Sequence, residues 1–419
     1  MNLFIKNIGQ LVTVAAHVKP YKAGTDMREL HVIENGAVLI ENGIIRTVGS
    51  TAEISPPNNI DVLDADGRIA LPGFVDSHTH TVFAGSRENE FAMRAEGKSY
   101  QEIATSGGGI ISTMTATRAA SKKELLHTAE RRINEMLRHG TTTVEIKSGY
   151  GLNPESEMKM LEVINILRRD SLATIVPTFL GAHAFPPEFK DDKQGYVDLI
   201  INRMLPYIGE KQFATFCDVF CDEGYFDLHQ TENILLEAKR YGMIPKLHAD
   251  QLAAIGATKL GAELNAVSVD HLERLTSDGN EALKKSSRHG ESSACVATVL
   301  PGASFFLNQP YAPARSIIES GIPLAIATDF NPGSAMCFSM PMMMTIACTQ
   351  MNMTPEEAIT AATLNGAAAL GLSSEIGSIE IGKQADIVLY NVPNYCFLPY
   401  HYALNHVWRI VKNGTVLEF

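Results

Sequence analysis

No two cysteines in this chain stand in a C-x-x-C pair: Cys217, Cys221, Cys295, Cys337, Cys348 and Cys396 are scattered over 419 residues. That scatter excludes a disulfide framework and fits the reduced thiols of a cytosol. Cys217 and Cys221 read as small buried hydrophobes, not as metal ligands. No apolar run approaches the roughly 20 residues that span a bilayer. The segment from Met1 to Lys6 also lacks the basic start and long apolar stretch of a signal peptide. A cytoplasmic protein with no membrane partner is expected. Excess positive charge is missing as well: the net charge is −12 and the sequence pI about 5.6, which argues against a nucleic-acid partner. Gly107-Gly108-Gly109 is not followed by the lysine of a phosphate-binding loop, and a mobile lid over a site is the better reading, with an ordinary flexible loop close behind.

What remains is ordinary globular material, 45% hydrophobic and 20% charged, long enough for one large α/β barrel and a smaller domain. Both ends are strand-rich. Leu3-Phe-Ile5, Leu11 to Val14, Ala37 to Ile40 and Ile44 to Val48 precede residue 68, with Asn42-Gly43 as a hairpin signal. Ala385 to Tyr390, Val407 to Val411 and the turn Asn413-Gly414 repeat this texture at the other end. One small β-sandwich domain assembled from residues 1–68 and 375–419 is expected.

Between them a different unit recurs. Apolar runs at Ile69–Asp76, Thr142–Ile146, Ala173–Phe179, Ala214–Phe220, Ile244–Leu247, Ala266–Val269, Ala294–Val299 and Pro323–Ala327 alternate with helical periods. Helices are predicted at Ser121–Arg138, Pro154–Arg169, Gln230–Arg240 and Ala312–Ser320, the first opened by an S-x-x-E capping box. The pattern predicts an α/β fold, a (β/α)8 TIM-type barrel over residues 69–374.

Functional groups of such barrels gather at the C-terminal strand ends. There the chain carries His78 and His80, Lys147 and Tyr150, His183, His248 with Gln251, His271 and Asp329. Residues i and i+2 of a strand point the same way, so His78 and His80 can grip one ion from one segment. Imidazoles with one carboxylate suit Zn2+ or Fe2+ and leave room for a water acidified to a pKa of about 7. Lys147 and Glu145 share a strand face and read as a buried ion pair.

The flanking segments sharpen this. Leu71-Pro-Gly-Phe-Val-Asp-Ser-His-Thr-His80 and Gly377-Ser-Ile-Glu-Ile-Gly-Lys-Gln-Ala-Asp-Ile-Val388 resemble the amidohydrolase superfamily. His80 to Arg87, Ser106 to Thr113, Glu145 to Gly151, Thr178 to His183, His248 to Gln251 and Asp329 to Ser334 resemble one branch of it. That branch opens the lactam of 4-imidazolone-5-propanoate to N-formimino-L-glutamate in histidine degradation. The resemblance implies one divalent metal, Zn2+ or Fe2+, on His78, His80, His248 and Asp329. It further implies substrate contacts from Arg87, Tyr150, His183, Gln251, Asn331, Gly333 and Ser334, with Arg87 facing the propanoate. Asp329, His271 and Gln251 are the implied catalytic groups, and a homodimer acting on a small carboxylate-tailed molecule the implied assembly. One departure stands out: Gln251 occupies the position where many mononuclear deaminases carry a proton-shuttling Glu, and Gln cannot titrate. No lysine occurs in the fourth strand to bridge a second metal. Two rival readings stay open. Deamination of a guanine-like ring would release ammonia without ring opening, and a non-catalytic scaffold would bind no stoichiometric metal.

Overall fold

The structure, a computed structural model, describes residues 2–17, 19–98, 102, 107–288 and 294–418. Ser106, in one of the segments above, and His289 lie outside the described residues. The N-terminal strands are β1 (Asn2–Val12), β2 (Val32–Glu41), β3 (Ile44–Ser50), β4 (Asp61–Asp64) and β5 (Ile69–Pro72). Two short strands predicted before residue 15 are one long strand, with an irregularity between Ile5 and Ile8. Asn7 there adopts a φ of 53°, which absorbs the bend. Asn42 and Gly43, at φ 53° and 79°, make the tight turn predicted between β2 and β3.

The barrel strands follow: β6 (Phe74–Asp76), β7 (Thr141–Lys147), β8 (Thr174–Ala182), β9 (Phe216–Cys221), β10 (Ile244–Ala249), β11 (Ser268–His271), β12 (Val296–Val299) and β13 (Leu324–Ile326). These eight strands form one sheet in chain order, every neighbouring pair parallel. The helices between them match the apolar periods. Lys122–Arg138 is capped by Ser121 and Glu124, and Leu228–Arg240 starts two residues before its predicted bound because Asp227 and Gln230 form a second capping box. Last come β14 (Ile387–Tyr390), β15 (Val407–Lys412) and β16 (Thr415–Leu417), which join β1 to β5 in the other eight-stranded sheet. Ile5, Ile8, Val38 and Ile40 from one end of the chain pack with Ile387, Leu389 and Val411 from the other.

The single strand predicted over Ile69–Asp76 is two. Ile69–Pro72 pairs antiparallel with β14, and Phe74–Asp76 pairs parallel with β7. Gly73 is the crossing point between sheets: its N–H reaches Asp386 O at 2.9 Å, and a Cβ there would lie 2.2 Å from Thr142 Oγ1. Only glycine fits so close a backbone approach.

The first and last barrel strands meet beyond their ends. Thr79 bridges Phe330, Asp329 N–H donates to His78 O at 3.0 Å, and His80 N–H donates to Phe330 O at 2.9 Å. Asp76 accepts from Thr328 N–H at 3.0 Å and from its hydroxyl. The seam that closes the barrel therefore sets the spacing of His78, His80 and Asp329. All six cysteines are free thiols, Cys217, Cys221 and Cys295 being buried. Met340, Met343 and Met344 fill core beside the barrel. No helix among the described residues is long and apolar enough to cross a membrane.

Candidate active site

Along the segment leaving β6, Thr79 turns toward Glu145, donating its hydroxyl to Glu145 O at 2.6 Å. Alternation then sends His78 and His80 the other way, their ring centroids 5.4 Å apart. Asp329, arriving from β13, sets Oδ1 3.6 Å from His78 Nε2 and 3.5 Å from His80 Nε2. His248 comes from β10, its ring 4.5 Å from that of His78 and 5.2 Å from that of His271. Donor atoms fall into three overlapping groups, each within 4.8 Å: His78, His80 and Asp329; His78, His248 and His271; His80, His183 and His248. All of the strand-end histidines singled out above thus converge. His271, Leu272 and Asp329 hold φ values of 86°, 70° and 52°, a region that non-glycine residues enter at a cost.

The rings are oriented from behind. Asp270 Oδ2 accepts from His78 Nδ1 at 2.7 Å, which leaves the Nε2 lone pair facing the cluster. Asp218 Oδ2 lies 3.0 Å from His248 Nδ1. Gly149 O can only accept, so His183 Nδ1 at 3.0 Å carries the hydrogen and Nε2 keeps its free lone pair. Lys147 Nζ joins this layer, 2.8 Å from both Glu145 Oε1 and Asp218 Oδ2 and 3.9 Å from Asp270 Oδ2. The predicted Lys147–Glu145 ion pair is therefore part of a larger buried network. Lys246 extends it, 2.6 Å from Ser268 Oγ and 3.6 Å from Asp270 Oδ2.

Burial governs the protonation states. It drives His78 and His80 well below the usual imidazole value, helped by Lys147 and the neighbouring imidazoles. His183 is pushed down to about 3, again chiefly by burial. These rings are neutral donors at pH 7. His271 differs: burial opposes its charge, but Glu273, Asp329 and Asp270 outweigh that and raise it. Burial lifts Asp329 to about 6.

Does this arrangement suit a cation? His78 Nε2 and His248 Nε2 are buried with no hydrogen-bond partner among the described residues. Leaving such atoms unpaired is costly unless something not yet named takes their lone pairs. Neutral imidazoles with a carboxylate are the donor set of Zn2+ or Fe2+. The residues present fit a divalent metal.

A cavity of about 600 Å3 opens above the cluster. His80, Tyr150, His183, His248, Gln251, His271 and Asp329 line its floor, with Arg87, Asn331, Gly333 and Ser334 on its wall. The Gln251 backbone is fixed by its N–H to Asp222 Oδ2 at 2.9 Å. Asn331 is engaged in its own loop: Oδ1 accepts from Gly333 and Ser334 N–H, each at 2.8 Å, and Nδ2 donates to Asp329 O and Ser334 Oγ, each at 2.7 Å. Arg87 is not free either. Its Nε and Nη2 hold Glu90 in a bidentate pair at 2.9 and 2.7 Å, and Glu90 also accepts from Gly109 N–H at 2.9 Å. Nη1 remains, packed so closely on Gly333 that a Cβ there would lie 2.2 Å away.

Sequence reasoning offered Glu90 as an ion-pair partner of Arg87, and the structure shows that pair; it missed Asp218, Asp270 and Glu273. Two of these had a signal: Asp218 and Asp270 are lone carboxylates inside apolar strands, which are rarely buried without a partner.

The amidohydrolase family model matches residues 69–417. A protein of Geobacillus sp. (strain WCH70) named imidazolonepropionase is 46% identical over 420 residues, covering 99% of this chain and 97% of that protein. Another of that name, from Caldanaerobacter subterraneus subsp. tengcongensis, is 47% identical over 412 residues, covering 98% and 96%. Among solved structures, a zinc-bound adenosine deaminase from Xanthomonas campestris superposes with a TM-score of 0.72 at 19% identity, covering 99% of this chain and 92% of that one. E. coli guanine deaminase does so with a TM-score of 0.72 at 15% identity, covering 100% and 99%. At such identities these two likenesses concern the fold alone.

Proposed function

The chain belongs to the amidohydrolase family, and we propose that it hydrolyses the lactam C–N bond of 4-imidazolone-5-propanoate, yielding N-formimino-L-glutamate. The observation that carries this reading is the pairing of a histidine-rich metal cluster with a wall bearing Arg87 in one cavity, as expected for a polar ring with an anionic tail. One divalent ion, Zn2+ or Fe2+, belongs on His78, His80, His248 and Asp329, where it would supply Lewis-acid polarisation and an acidified water.

The chain's own groups do the rest. Tyr150, His183 and Gln251 form the bed of the ring; Gln251 orients it and exchanges no proton. His271, held by Glu273 with Nδ1 3.5 Å from Oε1, turns its other nitrogen to the developing oxyanion. Asp329 takes the proton of the attacking water and returns it to the ring nitrogen as the C–N bond breaks. Asn331 shapes the loop whose Gly333 and Ser334 border the propanoate end. Phe220, Tyr225 and Leu252 add apolar surface to the lining of the cavity.

Incubating the purified protein with imidazolone propanoate should remove the ultraviolet absorbance of the ring. Ammonia released from an intact ring would replace this reading with deamination.

Arg87→Ala should lower kcat/KM by about ten- to a hundredfold, the worth of one charge-assisted pair, with metal content unchanged. Part of that loss comes from Glu90, left as a bare carboxylate facing the substrate tail. Arg87→Ala combined with Glu90→Gln should therefore be less impaired than Arg87→Ala alone. Arg87→Lys should recover only part, since an ammonium cannot hold Glu90 and a tail bidentately.

A further inference from the structure

A second guanidinium borders the same cavity. Arg94 lies four residues beyond Glu90 on the helix Glu88–Ala95, so both are on one helix face. Its Nη1 donates to Gly333 O at 3.3 Å, and its Cζ lies 5.1 Å from the ring centre of Phe306. Arg87 and Arg94 thus both reach Gly333, one packing against it and one bonding its carbonyl. Their counter-charges differ. Arg87 is neutralised by Glu90, whereas Arg94 has no carboxylate within ion-pair distance among the described residues. Burial and the neighbouring Arg87 lower Arg94 from the usual guanidinium value, against a smaller opposing pull from Glu90, as befits a cation with an incomplete counter-charge. Lys98, at the rim, is exposed and 4.0 Å from Glu102.

On the reading that the substrate carries a carboxylate tail, we propose that Arg94 and Arg87 form a two-guanidinium clamp for that carboxylate, with Glu90 orienting Arg87 and Arg94 supplying the net charge. A single anion then fits where Arg87, Glu90 and Arg94 sum to one positive charge. The clamp acts on binding, so it should appear in KM more than in kcat.

The test uses the metal-loaded enzyme and two unreactive probes, 3-(imidazol-4-yl)propanoate and 4-propylimidazole, which differ only in the carboxylate. By calorimetry Arg94→Gln should weaken the propanoate probe about ten- to a hundredfold and change the propyl probe by less than about twofold. Arg94→Lys should restore part of the difference, and Arg94→Gln should raise KM for imidazolone propanoate more than it lowers kcat. Unchanged affinity for the propanoate probe, or an equal loss for both probes, overturns the clamp. If the wild-type enzyme fails to turn over imidazolone propanoate yet shows the probe difference and its loss in Arg94→Gln, the clamp stands and the substrate reading falls.

Discussion

Asp329→Asn, with metal restored to full occupancy, is expected to lose about two to four orders of magnitude in kcat. The substitution keeps the shape of the side chain and an oxygen that can still share an ion with His78 Nε2 and His80 Nε2, which lie 3.6 and 3.5 Å from Oδ1. The backbone bond from Asp329 N–H to His78 O, at 3.0 Å, is untouched, so the barrel seam should survive. What disappears is a carboxylate able to take and return a proton, and general acid–base catalysis contributes roughly 10²- to 10⁴-fold. Measuring metal content beside kcat separates this loss from simple demetallation. A second titratable group in the cavity is His271, which Glu273, Asp329 and Asp270 keep basic despite burial. A fully loaded Asp329→Asn enzyme with near-normal kcat would move the proton transfer to His271. Gln251→Glu supplies the contrast: a residue that only aligns the ring should tolerate the change and keep measurable turnover.

The residues legible in the sequence are those whose role follows from local periodicity. His78 and His80 alternate out of a strand, Asp329 ends an apolar run, and Ser121 with Glu124 opens a helix, each within a few positions. Groups that act through the barrel register were harder to see. Asp270 meets His78 from a strand 192 positions away, and Asp218 meets His248 only because β9 and β10 lie side by side. A single sequence shows such carboxylates as anomalies in apolar runs without saying what they face. The division of Ile69–Asp76 at Gly73 was hidden for a similar reason, since the run is apolar throughout and the two halves differ only in their partners. Arg87 was legible as a cation of the loop after His80, but its bidentate hold on Glu90 depends on helix geometry at i, i+3.

Metal content is where the buried layer beneath the histidines should show most clearly. His248→Ala is expected to lose bound metal and activity together, because His248 belongs to two of the three donor groups and no neighbouring side chain can replace it from β10. The wild type should hold one tightly bound divalent ion per chain by elemental analysis. Two tightly bound ions, or none in an active preparation, would contradict the assignment. Asp218→Asn probes the same ring from behind. Asp218 lies 3.0 Å from His248 Nδ1 and 2.8 Å from Lys147 Nζ, so the change weakens the carboxylate that fixes the imidazole and leaves Lys147 partly uncompensated. Partners of this kind typically contribute ten- to a hundredfold in metal affinity. Asp218→Asn should accordingly weaken metal binding by about that factor, and added metal should restore most of the activity. His248→Ala should not be rescued in this way. If both variants kept full metal content after dialysis against a chelator, the ion would have to sit on His78, His80 and Asp329 without help from β10.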